Sequence, residues 1–218
     1  MSNYTLTEEN YLKAIYFLSQ HSEKGVSTNA ISESLETKPS TVTEMLRKLK
    51  EKGVLNYKKY QGAELTGEGK KVAIATVRKH RLWESFLVDK LNFGWDEVHE
   101  IAEQLEHIQS RKLTDRLEEF LGFPKYDPHG DPIPDRNGVF PKSSDLSLDN
   151  CSPGSSVKVR GVKDTAPELL KYIAKLGIGL GDRIEILEIE EFDHSMRIVV
   201  NGQELQLSQL VCKNIFVQ

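Results

Sequence analysis

The sequence predicts an α+β chain of several domains, because the pattern of its apolar residues changes along its length. Between Thr7 and Leu121 most segments repeat apolar residues every three or four positions, which is typical of amphipathic helices. From Ser156 onward apolar and polar residues alternate, which is typical of half-buried strands. Six of the eight prolines lie in or beside residues 124–155, so an irregular segment separates the two patterns.

The composition excludes several classes of protein. Of the 218 residues, 38% are hydrophobic and 28% are charged, which is typical of a globular protein in water. The N-terminal residues lack the basic and apolar regions of a signal peptide, and no apolar run approaches the roughly 18 residues that cross a bilayer. Cys151 and Cys212 form no Cys-x-x-Cys pair, which favours a reducing compartment. We therefore expect a cytoplasmic protein with no membrane partner.

The first predicted domain covers residues 1–66 and contains two short helices across a tight turn, after a helix over Thr7–Gln20. Ser27 is expected to cap the first short helix, and Ser40 the second, after the break that Pro39 imposes. Two such helices predict a helix-turn-helix, whose second helix enters the major groove of DNA. The alternative is an ordinary helical hairpin in a small core.

A basic β-hairpin favours the DNA-binding interpretation. Val54–Thr66 alternates around Gln61 and Gly62, which predicts the wing of a winged helix-turn-helix. From Ser40 to Arg81 there are 11 lysines and arginines against 4 acidic residues, although the whole chain has a net charge of −4. Such a segment is expected of a phosphate-binding surface. The residues expected to contact DNA lie on the second helix, the turn before it and the wing: Thr37, Lys38, Ser40, Thr41, Thr43, Glu44, Arg47, Lys48, Lys58 and Lys59.

The stretch Asp96–Ser110 carries a pattern typical of a metal site. If it is helical, four donors share one face at positions i, i+4, i+7 and i+8, namely His99, Glu103, Glu106 and His107. Imidazole and carboxylate donors without a thiolate suit a hard-to-intermediate divalent ion. The alternative is a solvated charged face that happens to include two histidines.

A second pair of donors, His80 and Glu84, lies one turn apart on a long helix predicted from about Gly67 to Leu91, after the helix cap Thr66. If this helix packs against the previous stretch, His99 joins the pair. The alternative is a surface ion pair. The other histidines are expected in loops without a role: His21, His129 and His194.

Three further regions complete the predicted organisation. Residues 67–123 are expected to form two or three helices with apolar stripes, which are too few helices to enclose a core of their own. Their apolar faces therefore suggest a dimer interface, and helix-turn-helix proteins normally bind paired half-sites as dimers. Residues 124–155 form a proline-rich linker. Residues 156–218 form a small SH3-like β-barrel, with strands over Val157–Val162, Arg183–Phe192, Met196–Asn201 and Glu204–Leu207 and a helix over Pro167–Leu176.

Several of these motifs together resemble the diphtheria toxin repressor family of iron- and manganese-dependent transcriptional repressors. The similar segments are NYLKAIYFL, PSTVTEMLRKL, RKHRLWESFL, the H-x3-E-x2-E-H stretch, DPHGDPIP and an SH3-like (FeoA-like) tail. The resemblance covers nearly the whole chain. It implies a metal-activated homodimer that represses transcription by binding double-stranded operator DNA, and it implies no enzymatic activity.

The resemblance also implies two metal sites. The ligands of the regulatory site would be Asn10, Glu103, Glu106 and His107. Those of the ancillary site would be His80, Glu84 and His99, with Asp164 and then Glu168 as candidates from the SH3-like domain.

Two departures from the family pattern bear on the metal. Iron-type members have Cys at the position of Glu103, and a carboxylate there resembles the manganese-type branch and favours a harder ion. Manganese-type members have Asp, and iron-type members Met, at the position of Asn10, whose amide oxygen is a neutral and weaker donor. We therefore expect Mn²⁺ as the favoured ion and Fe²⁺ as the second.

The expected mechanism is that metal binding draws in the first helix through Asn10 and fixes the winged-helix domains of the dimer on DNA. Without metal, Glu103 and Glu106 are expected to repel each other and to leave those domains free. Two alternatives are a winged-helix regulator of an organic ligand and a carboxylate-bridged di-iron enzyme. The enzyme is disfavoured because no Glu lies three residues before His80, His99 or His107.

Overall fold

The computed structural model describes residues 4–20, 22, 25–58, 61–94, 97–141, 146–163 and 167–218. They form two compact units. The first comprises Met1–His80, Glu103–Arg116 and Pro134–Val139, and the second comprises Arg81–Ala102, Leu117–Ile133 and Phe140–Gln218. None of the helices in the described ranges is both long enough and apolar enough to cross a membrane.

The first unit contains the predicted helix-turn-helix and wing. Its elements are α1 (Leu6–Ser19), α2 (Thr28–Ser34), α3 (Pro39–Glu51), β1 (Leu55–Lys58) and β2 (Gly62–Leu65). The two strands pair in antiparallel fashion, with Leu55 opposite Leu65, as a wing requires. Gly62 has a φ of +86°, and a Cβ there would lie 2.6 Å from the backbone of Gly25, so only glycine fits where the wing meets the chain before α2.

Side-chain caps explain where most of these helices begin. Thr5 caps α1 in a capping box, because its hydroxyl accepts from the Glu8 N–H while the Glu8 carboxylate accepts from the Thr5 N–H. Ser27 caps α2 as predicted. The expected cap of α3 by Ser40 is wrong: Lys38 is the N-cap residue, and Pro39 occupies the first helical position, where its missing N–H costs nothing.

The core of the first unit joins α1 to the DNA-binding helices. Leu12 and Ile15 of α1 pack in one cluster with Ile31 of α2 and with Leu46 and Leu49 of α3, and all five are fully buried. A cluster this dense transmits displacement, since protein interiors are close-packed. The position of α1 is therefore tied to that of α3.

Of the helices after the wing, the one that carries the predicted metal ligands ends earlier than expected. Three elements follow the wing: α4 (Gly67–Leu91), α5 (Val98–Leu105) and α6 (Arg111–Phe120). The helix expected through Ser110 stops at Leu105, so Glu106 and His107 lie in the turn after α5 rather than on its face. Ser110 accepts from the N–H of Leu113 and so caps α6, which requires the chain to leave the helical conformation first.

The second unit contains a five-stranded antiparallel sheet in the order β6-β5-β4-β3-β7. Its elements are β3 (Ser156–Val162), α7 (Pro167–Lys175), β4 (Arg183–Ile189), β5 (Met196–Val200), β6 (Gln203–Leu207), α8 (Gln209–Asn214) and β7 (Ile215–Val217). Four strands and one helix match the prediction, whereas α8 and β7 were not predicted. The sheet and helices enclose a core of isoleucine, leucine and valine that includes Ile173, Ile184 and Ile198.

The proline-rich segment is irregular, as predicted, but part of it is buried against β3. The Asp127 carboxylate accepts from the N–H groups of His129 and Asp131, which closes a tight loop. The carbonyl of His129 accepts from the N–H of Val162 at 2.8 Å. A Cβ on Gly161 would lie 2.2 Å from Cα of Gly130, so two glycines allow this loop to touch the strand.

Candidate metal centre

Glu106 is the centre of the candidate site in the first unit. Its carboxylate is fully buried, and its Oε2 lies 2.6 Å from Nδ1 of His80. Its Oε1 lies 3.5 Å from Nε2 of His107. His80, which was assigned to the ancillary site, therefore hydrogen-bonds to a ligand expected in the regulatory site.

Lys13 of α1 bridges the two carboxylates of this site. Its ammonium lies 2.7 Å from Oε1 and 2.9 Å from Oε2 of Glu106, and 3.1 Å from Oε1 of Glu103. Glu103 and Glu106 were expected to repel each other without metal, but in this structure the Lys13 ammonium contacts both carboxylates and offsets part of that repulsion. Lys13 was not predicted to take part in the site, although it lies three residues after Asn10 and so on the same side of α1.

Glu9 orients the imidazole of His107. Glu9 is buried, and its Oε2 lies 2.8 Å from Nδ1 of His107, while its Oε1 accepts from Nε2 of Gln109 at 2.8 Å. Lys79 adds a longer ion pair of 3.6 Å. With Nδ1 held by a carboxylate, Nε2 of His107 is left to face Glu106, which is the arrangement that metal-binding histidines usually adopt.

The donors of the first unit fit a divalent ion. Two of the four predicted ligands each carry a buried atom without a hydrogen bond: Oδ1 of Asn10 and Nε2 of His107. Buried polar atoms are nearly always satisfied, so two such atoms among predicted ligands point to a partner that accepts their lone pairs. Glu103 adds a half-exposed carboxylate. Oxygen and nitrogen donors without sulfur suit a hard-to-intermediate cation.

The donor atoms of the first unit are too far apart to coordinate one ion in this arrangement. Within the part of the chain that the structure describes, Glu103, Glu106 and His107 do not bring one donor atom each within 4.8 Å of one another. The Lys13 ammonium contacts both carboxylates instead. Binding of an ion by all of these donors therefore requires Lys13 to move.

A second group of donors lies wholly in the second unit. Glu84, Asp127 and His129 are all buried and bring one donor atom each within 4.8 Å of one another. Nδ1 of His129 lies 3.6 Å from Oε1 of Glu84, and Nδ1 of the exposed His99 lies 3.4 Å from the same oxygen. Two carboxylates and an imidazole within that distance, with His99 beside them, can hold a divalent ion.

The electrostatics of this second group favour a cation. Burial and the nearby charges of Glu84 and Asp131 raise the pKa of Asp127 well above its usual range, against the opposing effects of Arg81 and His129. Arg81 is the nearby permanent cation, with Nε 3.5 Å from Asp127. Metal ions coordinate carboxylates in their deprotonated form, so a bound ion would replace the proton that burial otherwise favours.

Glu84 and His99 were predicted as ligands, whereas Asp127 and His129 were not. His129 was expected to have no role, but the structure places this residue beside Glu84. The only local signal is that Asp127 and His129 stand two residues apart within DPHGDPIP. Of the expected ligands from the C-terminal domain, Glu168 is exposed on the first turn of α7, and Asp164 lies outside the described residues.

The residues expected to contact DNA are mostly on the surface. The exposed members are Lys38, Ser40, Thr41, Glu44, Arg47, Lys48 and Lys58. Thr37 and Thr43 are half-buried, and the Thr43 hydroxyl donates to the carbonyl of Pro39. Lys48 lies 3.0 Å from the buried carboxylate of Glu8, and Lys59 falls outside the described residues. The start of α3 thus presents short hydroxyl side chains, as close approach to a groove requires.

Models of known families match the chain in three consecutive segments. Residues 4–63 match the N-terminal DNA binding domain of the iron dependent repressor, and residues 66–135 match its metal binding and dimerisation domain. Residues 146–218 match the FeoA domain. These matches confirm the predicted fold class: a winged-helix domain, a helical dimerisation domain and a C-terminal SH3-like domain.

Individual relatives include repressors from two groups of bacteria. The chain is 38% identical to the iron-dependent repressor IdeR of Mycobacterium leprae over 136 residues, which is 62% of this chain and 58% of that protein. The match therefore spans a little over half the length of that relative. The diphtheria toxin repressor of Corynebacterium glutamicum is 27% identical over 213 residues, with 92% of this chain and 91% of that protein covered.

Solved structures of similar proteins extend over nearly the whole chain. A manganese-dependent transcriptional repressor in complex with manganese is 37% identical with a TM-score of 0.72, and the match covers 96% of this chain and 98% of the other. ScaR with bound Zn²⁺ is 34% identical with a TM-score of 0.65, at 97% and 98% coverage. The chain therefore belongs to the family of iron- and manganese-dependent transcriptional repressors.

Proposed function

We propose that this chain represses transcription as a homodimer when a divalent metal binds it, with Mn²⁺ favoured over Fe²⁺ as the co-repressor. The observation that carries the proposal is the pair of buried donor atoms without hydrogen bonds on Asn10 and His107, beside the buried carboxylate of Glu106. Asn10 belongs to α1, the helix that packs on the DNA-binding helices. A protein that acts on the genome in this way would work in the cytoplasm.

The donor set supports Mn²⁺. A divalent cation bound there would supply positive charge to the carboxylates of Glu103 and Glu106, the imidazole of His107 and the amide oxygen of Asn10. These donors contain no thiolate, which disfavours soft ions. A structural neighbour that is itself described as a complex with manganese agrees with this choice. Affinity alone favours later transition metals, so the supply of metal also decides the outcome.

α1 would carry the response from the metal site to the DNA-binding surface. Asn10 supplies an oxygen to the site, while Leu12 of the same helix packs in one core with Leu46 of α3. The buried carboxylate of Glu8 also pairs with Lys48 and with Lys52 at the end of α3. A displacement of α1 is thereby passed to α3. Only a difference in metal affinity between two positions of α1 can shift their populations.

The DNA partner would be a double-stranded operator with paired half-sites, one for each protomer. Ser40, Thr41 and Glu44 lie exposed near the start of α3 and would face base edges, while Arg47 and Lys58 would reach phosphates. The other residues of the proposed DNA surface are Thr37, Lys38, Thr43, Lys48 and Lys59.

The proposed division of the chain has four parts. Residues 1–66 would bind DNA, and residues 67–123 would bind metal and form the dimer. Residues 124–155 would be a linker, and residues 156–218 would be the SH3-like domain.

The second group would form an ancillary metal site. Glu84, Asp127 and His129 supply three buried donors, and His99 supplies a fourth at the surface. We retain His80, Asp164 and Glu168 as candidate ligands from the family resemblance. Because this group lies wholly in the second unit, its loading can be measured separately from that of the first-unit donors by substituting one set at a time.

The deciding experiment is a titration of promoter DNA from the protein's own gene region with metal-free protein, followed by fluorescence anisotropy. Mn²⁺, Fe²⁺ under anaerobic conditions and Zn²⁺ are added separately. We expect Mn²⁺ to stimulate binding of the wild type most, and Glu106→Ala to retain its fold by circular dichroism but to lose the stimulation. Glu185→Ala, which removes an exposed carboxylate of β4 outside both groups, should respond like the wild type.

Each outcome of this titration discriminates among the interpretations. Equal or stronger stimulation by Fe²⁺ would assign the chain to the iron-responsive type. Full stimulation of Glu106→Ala would refute the first-unit site. If none of the three metals stimulates DNA binding, the metal-dependent function is refuted and the regulator of an organic ligand takes its place.

A further inference from the structure

Lys13 occupies the position that the metal site leaves for a cation. Its side chain is 12% exposed, and its ammonium makes three contacts of 2.7–3.1 Å with the carboxylates of Glu103 and Glu106. The shortest contact, of 2.7 Å, is with Oε1 of Glu106. Lys13 therefore forms an ion pair with the same oxygen that faces Nε2 of His107.

An ammonium and a divalent ion compete for this oxygen. Small hard cations coordinate carboxylate oxygens at about 2.0–2.6 Å, which leaves no room for an ammonium at hydrogen-bond distance from the same lone pairs. Loss of the Lys13 contacts also breaks a buried ion pair, which opposes metal binding. We propose that Lys13 is an internal counter-cation that competes with the metal and thereby sets the metal concentration at which the chain responds.

The proposal rests on the proposed function and adds a regulatory residue to its first-unit site. Lys13 and Asn10 are three residues apart on α1, so both the metal-free and the metal-bound forms tie this helix to Glu106. In the metal-free form the tie is the Lys13 ammonium. In the metal-bound form it would be the amide oxygen of Asn10. The switch would then exchange one attachment point on α1 for another rather than release the helix.

The size of the effect follows from known electrostatic couplings. A single adjacent opposite charge changes the proton affinity of a carboxylate by roughly 1–3 pKa units, which is about tenfold to a thousandfold. Removal of the ammonium should therefore tighten metal binding by about tenfold or more. It should also destabilise the metal-free protein, because Glu103 and Glu106 would lose their shared cation.

The test compares Mn²⁺ affinities by isothermal titration calorimetry in a His129→Ala background, in which the second-unit group is disabled. Lys13→Met should bind Mn²⁺ at least about tenfold more tightly than its parent. Lys13→Arg, which retains the charge, should stay within about threefold of the parent by the same electrostatic argument. Lys70→Met, which removes an exposed cation of α4, is the matched control and should leave the affinity unchanged.

A second measurement is the melting temperature with and without Mn²⁺. Lys13→Met should melt lower than its parent without metal and should show a larger rise on adding Mn²⁺. If this variant does not fold, Lys13→Gln is held to the same two criteria. Unchanged or weaker Mn²⁺ binding by the uncharged variants, while the parent still binds, would refute the role of Lys13 alone. Equal affinity of the parent and its Glu106→Ala variant would refute the site, and the proposed function with it.

Discussion

Glu8 provides a quantitative test of how α1 is fixed to α3. Its carboxylate is fully buried and pairs with Lys52 at 2.7 Å and with Lys48 at 3.0 Å. Burial opposes ionisation of Glu8, but hydrogen bonds from Lys52, from the Thr5 backbone and from Lys48 outweigh it and lower the pKa from 4.5 to about 2. The ionised form is therefore favoured more strongly in the folded than in the unfolded chain.

The sign and the size of the pH dependence follow. A carboxylate whose pKa is lower when folded stabilises the fold fully above its unfolded pKa and loses that effect as the pH falls toward the folded pKa. A difference of this size corresponds to about 3 kcal/mol at neutral pH. Roughly 2 kcal/mol of this contribution is lost between pH 7 and pH 3, and the remainder near pH 2.

The assay is urea unfolding of the full metal-free chain at pH 7, 5, 4 and 3, followed by circular dichroism. Hydrogen exchange of α1 and α3 peptides identifies the transition that belongs to the first unit. The wild type should exceed Glu8→Gln by about 3 kcal/mol at pH 7 and by about 1 kcal/mol at pH 3. Glu51→Gln, at an exposed position of α3, should show no such pH-dependent gap. A gap between wild type and Glu8→Gln that is constant or grows on acidification would contradict the reasoning.

Three further predictions concern the metal and DNA sites. Glu9→Gln should lower Mn²⁺ affinity about 10- to 100-fold in calorimetry, because His107 loses the carboxylate that orients it; unchanged affinity would argue against that role. Joint substitution of Asp127 and His129 by Ala should reduce bound metal by one equivalent per chain in elemental analysis, and an unchanged ratio would exclude the second-unit site. Arg47→Ala and Lys58→Ala should each weaken DNA binding and lower the slope of log affinity against log salt by about 1, with metal affinity unchanged; a salt slope equal to that of the wild type would remove that residue from the DNA surface.

Features set by neighbouring residues were predictable from the sequence. The caps at Ser27 and Thr66 and the antiparallel pairing of the two wing strands each depend on contacts within a few positions, and the structure contains all three. The wrong prediction of Ser40 as a cap also concerns neighbouring residues only. Pro39 suits the first turn of a helix, so α3 begins before Ser40 rather than after it. Local chemistry therefore fixed the winged-helix portion to within a residue or two at most boundaries.

Features set by distant contacts were not predictable in the same way. Periodicity placed Glu106 and His107 on a helix, but the cap at Ser110 ends that helix early. Lys13 could not be assigned to the site from the sequence, because its partners are 90 and 93 residues away. His129 read as a loop residue because only its packing against β3 carries it to Glu84. The metal chemistry was thus recognisable in the residue types, while the full set of donors depended on the tertiary fold.

The contact between Gly130 and Gly161 makes the alignment of the second group of donors depend on residues that come later in the chain. All three buried donors of the second group precede Ser156, yet His129 is held in place by the N–H of Val162 and by the close approach of the two glycines. A chain that ended at Ser155 would contain every donor atom and still fail to align them. Metal binding by that group would therefore require the C-terminal sheet to have formed, so a chain that lacks the sheet is expected not to bind metal there.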